Sequence, residues 1–270
     1  MLAVSPPVTE ATEPQITLAT HLRAVERAIH VMHTHLRDPL TLGDLASAAY
    51  LSPAHFNRIF RRQIGIPPVE YLSGLRLQTA RRLLLSTSLS VTDICFEVGY
   101  TSPGSFTTRF TQLAGLSPRL VRQHAHRAAL PPLEHAAHFS TTLDLMHNTA
   151  QPAHTLQGRI SAPPAFQGVI YVGLFTRPIP QGSPIRCAKL YAPGPFRLTG
   201  VPDGIYYLLA AAFPVTASLQ SYLLPGEKAL YGKGAGSLIM HNGHLFGDPN
   251  LILRPPLLTD PPLVMALPLL

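Results

Sequence analysis

Eighteen consecutive residues of this chain recur fifty positions later without a gap: residues 51–68 read LSPAHFNRIFRRQIGIPP and residues 101–118 read TSPGSFTTRFTQLAGLSP. The alignment pairs Pro53 with Pro103, Phe56 with Phe106, Phe60 with Phe110, Gly65 with Gly115 and Pro68 with Pro118. Such a repeat is one supersecondary unit used twice, so both copies are expected to fold alike. Each predicts a helix. Ser52 or Ser102 stands at the cap, proline follows where its missing N–H costs nothing, and two phenylalanines one turn apart face the core. A short segment of helical spacing precedes each copy, LGDLASAA at 42–49 and VTDICFEV at 91–98, opened by Thr41 and Ser90. The pattern is helix, tight turn, helix, twice over. Gly99 suits a left-handed turn in the second copy, whereas Tyr50 and Leu51 lie near the same point of the first, where strain on the order of 1 kcal/mol is expected. Between the units, PVEYLSGLRLQTARRLLLST (68–87) sets Leu72, Leu75, Ala80, Leu83 and Leu84 at helical spacing. That predicts one connecting helix of roughly 30 Å.

The 270 residues leave room for a second domain, and their 28 prolines fall unevenly along the chain. Net charge is +7. The stretch 21–127 alone holds thirteen arginines against six carboxylates, a difference of seven, while Lys189, Lys228 and Lys233, all the lysines there are, lie beyond it. This distribution points to a polyanionic partner for the first half, nucleic acid or an anionic surface, and arginine's planar fork suits phosphates and guanine edges. Cys95 and Cys187, the two cysteines, lie 92 positions apart in apolar surroundings, so each is expected in a core and neither a disulfide framework nor a CxxC site is suggested. The first residues lack the pattern of a signal peptide, and no run of 18 apolar residues occurs. A cytoplasmic protein with no membrane partner is expected. The tail LLTDPPLVMALPLL, broken by Asp260 and prolines, is expected to be extended strand.

The run SPAHFNRIFRRQIGIPPVEYLSGLRLQTARRLLLSTSLSVTDICFEVGYTSPGSFTTRF resembles the AraC/XylS family of transcription regulators. In that family's order it carries a first recognition helix, IGxxPxxYL, RLxxARRLL, an xITDIAxxVGF-like helix and a second recognition helix. The resemblance covers residues 21 to about 127. It implies an all-α double helix-turn-helix domain of seven helices with homeodomain-like repeats, binding double-stranded DNA through the exposed face of each second helix. In the first copy that face is Ala54, Asn57, Arg58 and Arg61, spaced i, i+3, i+4 and i+7, with Arg62 beside it. Asn57 suits an adenine edge, and Arg58 or Arg61 a guanine or a phosphate. A solvated basic face is the plainer alternative. In the second copy the face is Gly104, Ser105, Thr107 and Thr108, with Arg109 beside it. Here the family often has arginine after the Thr107 position. Short hydroxyls discriminate less, so this reader is expected to anchor and position, with Gln112 and Arg119 able to add phosphate contacts. A connecting helix of roughly 30 Å compares with the roughly 34 Å between successive major-groove faces of B-DNA, so one chain can span two grooves.

Beyond a linker expected at 128–154, short apolar runs alternate with Gly and Pro punctuation, which predicts an all-β antiparallel sandwich over 155–270. The phrases GRISAPP, GVIYVGLF and PGPFRLTGVPDGIYYLLAA resemble the prealbumin-like or carboxypeptidase-regulatory-like sandwich. The chain is thus expected to be multidomain, with residues 1–20 disordered, 21–127 binding DNA and the sandwich sensing a ligand, dimerising or meeting a partner such as RNA polymerase. The alternative is a DNA-tethered effector whose sandwich binds carbohydrate or another small ligand.

Neither cofactor nor enzyme is suggested. His30, His33 and His35 lack a completing Cys or Glu for a metal, and His241 and His244 flank Asn242-Gly243, itself a hairpin signal. Cys187 lacks the neighbours that lower a thiol's pKa, and no nucleophile elbow or phosphate-binding glycine loop occurs.

Overall fold

The computed structural model of the chain describes residues 13–127, 154–164, 166–214 and 229–265. Among these run seven helices: α1 (Glu13–Thr34), α2 (Leu42–Ala48), α3 (Pro53–Ile64), α4 (Pro68–Ser86), α5 (Val91–Glu97), α6 (Pro103–Ala114) and α7 (Pro118–Arg127). Eight strands follow: β1 (His154–Ser161), β2 (Gly168–Phe175), β3 (Arg186–Leu190), β4 (Gly194–Val201), β5 (Gly204–Pro214), β6 (Leu230–His241), β7 (His244–Phe246) and β8 (Leu251–Ile252).

The repeat folds as α2–α3 and α5–α6. Thr41 and Ser90 both make full capping boxes, with Asp44 and Asp93 reaching back to the cap backbone, so two otherwise orphaned N–H groups are satisfied at each helix start. Hydrogen bonds from the Thr41 side chain and backbone hold Asp44 below the usual carboxylate range. Ser102 accepts from the Ser105 N–H, but Ser52 makes no side-chain cap bond and leaves the start of α3 to Pro53. The two turns differ as their residues demand. Gly99 takes φ +80°, where a Cβ would stand 2.8 Å from the carbonyl oxygens of Leu36 and Arg37. Tyr50 takes φ +57° with a full side chain, the strained conformation expected of it. The Arg27 guanidinium lies 5.0 Å over the Tyr50 ring and donates to the Ala49 carbonyl at 3.1 Å, which offsets part of that cost.

Each unit has its own core, and α4 serves both. Val25, Ile29 and Met32 of α1 pack with Leu45, Phe56 and Phe60, joined by Tyr71, Leu72 and Leu75 of α4. One turn further on, Leu77, Ala80 and Leu84 of α4 pack with Ile94, Phe106 and Phe110. The four repeat phenylalanines are fully buried. Helix α1 begins at Glu13, inside the stretch expected to be disordered, and residues 1–12 lie outside the described ones. The expected linker also lies outside them, apart from His154, which opens β1.

The strands form a three-stranded sheet in order β4-β1-β8 and a five-stranded sheet in order β3-β2-β5-β6-β7. Leu156, Ile160, Phe196 and Leu198 of the first share one core with Ile170, Val172, Leu208 and Leu238 of the second. The expected wholly antiparallel pattern needs one correction. After β7 the chain returns beside β1 in the same direction, so β8 pairs parallel to it, Ile160 opposite Leu251. Pro202 and Asp203 turn β4 into β5, and Asn242-Gly243, both at positive φ, close the β6–β7 hairpin with His241 opposite His244.

Two irregular segments leave the sheets and lie on the helices. In the β2–β3 loop, Ile179 enters the core of the first helical unit, and the Gly182 N–H donates to the Leu113 carbonyl of the second at 2.8 Å. In the segment after β8, Val264 enters the core of the second unit. Residues 261–265 are buried and belong to neither strand nor helix, which corrects the expected extended strand. Pro261 and Pro262 offer no N–H to a ladder, so the segment satisfies itself against α4 instead. Tyr71 donates to the Leu258 carbonyl at 2.8 Å, and fully buried Arg81 donates to the carbonyls of Val264 and Met265. Lys233 Nζ donates to the carbonyl of Ile64 at the end of α3, at 2.9 Å. The helical and sheet regions therefore share cores.

Candidate nucleic-acid interface

The face of α3 opposite Phe56, Ile59, Phe60 and Ile64 presents Ala54, Arg58, Arg61 and Arg62 to solvent, with Asn57 half-buried at its flank. Proline at the first helical position and glycine at φ +97° after the last make α3 a short helix with both ends fixed. Helix α6 presents Gly104, Ser105, Thr108 and Arg109 in the same way, with Thr107 half-buried. A Cβ on Gly104 would meet only the Ser102 hydroxyl, at 3.9 Å, so that face is open for close approach.

The basic charge is less available than its sum suggests. Arg37 pairs with Glu97, and Arg76 donates to the carbonyls of Leu36 and Asp38 at 3.0 and 2.7 Å. Arg122 donates to those of Leu84 and Leu89 at 3.2 and 2.6 Å, Arg27 braces the first turn, and Arg81 is buried. These arginines tie helices together. Among the described residues no carboxylate pairs with Arg58, Arg61 or Arg62, so α3 carries three free guanidiniums on one short helix; exposed Arg23, Arg82 and Arg109 are likewise without a carboxylate. Arg119 and Gln112 are also exposed.

Cys187, expected in a core, is exposed on β3, because the strand's alternation turns it outward; Cys95 is buried. Among the described residues no group of three or more His, Cys, Asp or Glu side chains is placed to hold a metal, and no helix is long and apolar enough to cross a membrane. The buried anchors Ile179 and Val264 escaped sequence reasoning, as did the pairing of Arg177 with Glu70. Their one sequence signal is apolar residues set among prolines, PIP at 178–180 and PPLVM at 261–265, which suit neither helix nor ladder and so must be buried some other way.

Residues 45–124 match the helix-turn-helix domain family. They form a helix-turn-helix domain. The domain is similar to an uncharacterized HTH-type transcriptional regulator, YobQ, of Bacillus subtilis, 35% identical over 95 residues, which are 35% of this chain and 39% of that protein. The chain thus spans about two-fifths of that relative's length. Among solved structures, it is similar to a transcriptional regulator of the AraC-type DNA-binding domain-containing proteins from Chromobacterium violaceum, at 28% identity and TM-score 0.38, covering 40% of this chain and 96% of that one. It is also similar to the DNA-binding domain of AdpA, a global transcriptional factor solved in complex with a target DNA, at 31% identity and TM-score 0.35, covering 42% of this chain and 96% of that one.

Proposed function

We propose that this chain is a sequence-specific DNA-binding transcription regulator that sets α3 and α6 in successive major grooves of one duplex. The observation that carries this reading is the solvent-facing, carboxylate-free cluster of Arg58, Arg61 and Arg62 on α3, directly opposite the buried Phe56 and Phe60. A helix that buries one face in its own unit and offers guanidinium forks on the other is built to enter a groove. The match to a helix-turn-helix domain family supports it.

The first reader carries discrimination: Asn57 reads an adenine edge, Arg58 and Arg61 a guanine or a phosphate, while Ala54 allows close approach and Arg62 meets backbone. The second anchors through Gly104, Ser105, Thr107 and Thr108, whose short side chains and open backbone suit phosphate contact better than base readout. The sheet region acts as sensor, dimer contact or docking point for a partner such as RNA polymerase. Sensing is favoured among these because the region packs into the cores of both readers, where a ligand can alter their spacing.

The test is duplex binding by the full chain across a salt series. Log affinity falls by roughly 0.9 per phosphate neutralised for every decade of salt. Arg58→Ala and Arg61→Ala should each weaken a selected site by about 1–3 kcal/mol if they read bases, or lower the salt slope by about one if they hold phosphates. Wild-type binding by both variants would remove α3 from the interface.

A further inference from the structure

Between the second reader and the sheet region lies a cleft of about 210 Å³. Arg109 and Gln112 of α6 line one side, and Thr176, Arg177, Gln181 and Ser183 of the β2–β3 loop line the other. None of its lining residues is acidic. The carboxylate nearest in the network, Glu70, stands behind the lining with its side chain 11% exposed, where it pairs with Arg177 and accepts from Gln181 Nε2 at 3.1 Å.

We propose that this cleft binds a small anion, a carboxylate or phosphate group, between α6 and the β2–β3 loop. This deepens the function proposed above by giving the sensing role a place and a ligand class. Two guanidiniums, two carboxamides and two hydroxyls belong to its lining, beside Leu113, Phe175 and Ile179, around a space smaller than the roughly 300 Å³ at which pockets for drug-sized ligands begin; Arg177 and Gln181 each already bond Glu70, so Arg109 supplies the unpaired charge. Guanidinium forks match carboxylate and phosphate oxygens, and the carboxamides and hydroxyls complete the donor set. The loop side is organised before any ligand arrives. Ile179 anchors the loop in the first unit's core, the Gly182 N–H bonds the Leu113 carbonyl, and Glu70 orients Arg177 and Gln181 from behind. Arg109, exposed and without a carboxylate partner among the described residues, completes the site from the α6 side. An occupant would bridge the second reader to a loop that already grips the first, so its binding acts on the geometry between the two. Arg109 then belongs to this site rather than to base reading.

The anion can be a free small molecule or a backbone phosphate of duplex bound to α6, and two arms separate these sources. In the first, the full chain without DNA is titrated with inorganic phosphate and with malonate at constant ionic strength, following thermal unfolding and the Arg Nε–H resonances. In the second, duplex affinity is measured across a salt series. A free anion is identified by stabilisation in the first arm beyond matched chloride, with a dissociation constant weakened about tenfold by Arg109→Gln and by Arg177→Gln. A duplex phosphate is identified by a salt slope that falls by about one in each variant. Variants that match the wild type in both arms, or anions that stabilise wild type and variants equally, overturn the site. If the duplex arm shows no binding at all, the proposed function fails while the first arm still decides the anion site.

Discussion

Val264→Ala is the sharpest probe of how the sheet region and the readers are joined. Val264 belongs by sequence to the far end of the chain, yet it is fully buried among Leu77, Ala80, Leu84, Phe106 and Phe110. The substitution removes two carbons from that core, worth about 1.6 kcal/mol at about 0.8 kcal/mol each. The cavity left between rigid helices raises the cost to about 2–3 kcal/mol. Because the chain has no tryptophan, amide hydrogen exchange read by mass spectrometry resolves where this loss falls better than intrinsic fluorescence does. Protection in peptides from α4 and α6 should drop on the order of a hundredfold, since opening there now costs that much less. Exchange confined to the strands, with α4 and α6 as slow as in the wild type, would refute the shared core.

Arg81→Met should leave stability within about 1 kcal/mol of wild type, because burial that pushes the guanidinium down to about 10 offsets what its bonds to the Val264 and Met265 carbonyls return. Arg81→Ala, which also empties the site, should cost about 2–4 kcal/mol by denaturant titration, and a similar loss in the methionine variant would mean the charge itself is stabilising. Gly99→Ala should destabilise by about 2 kcal/mol or more, since a Cβ at φ +80° would overlap two carbonyl oxygens; an unchanged melting temperature would show that the turn can relax. Burial pushes Tyr71 above the ordinary tyrosine range and Tyr231 up to about 12. The unfolded chain therefore gives up these protons near pH 10 while the folded chain keeps them, and stability falls as pH rises above 10. Tyr71→Phe should flatten that decline and cost about 1 kcal/mol at neutral pH through the lost bond to Leu258; an unaltered alkaline slope would contradict the assignment.

The helical half was legible because its signals are local. A serine or threonine cap, proline at a helix start, phenylalanines one turn apart and a glycine in a left-handed turn each fix backbone within a few residues, and the caps, prolines and phenylalanines are all stated twice. Even Tyr50 could be read as strained, since its counterpart Gly99 shows what that turn needs. Hairpin chemistry was equally local, as at Asn242-Gly243. What sequence pattern could not supply was long-range packing. Ile179 and Val264 carry no period that names their partners, and nothing near Arg81 in sequence shows that it is covered by residues more than 180 positions away. Helical spacing says which residues share each candidate reader face, and the family resemblance says that this face meets DNA. The fate of each arginine follows from neither, because Arg76 and Arg122 brace carbonyls that only the tertiary fold brings near.

Whether one chain reads DNA with two unequal helices is decided by selecting duplexes from a random pool with the 270-residue chain and mapping the enriched bases. The enriched site should lack internal symmetry and span about two helical turns, one half strongly specified and weakened by Arg58→Ala, the other weakly specified. A palindrome with equal half-sites, or a pool that is not enriched at all, would contradict it.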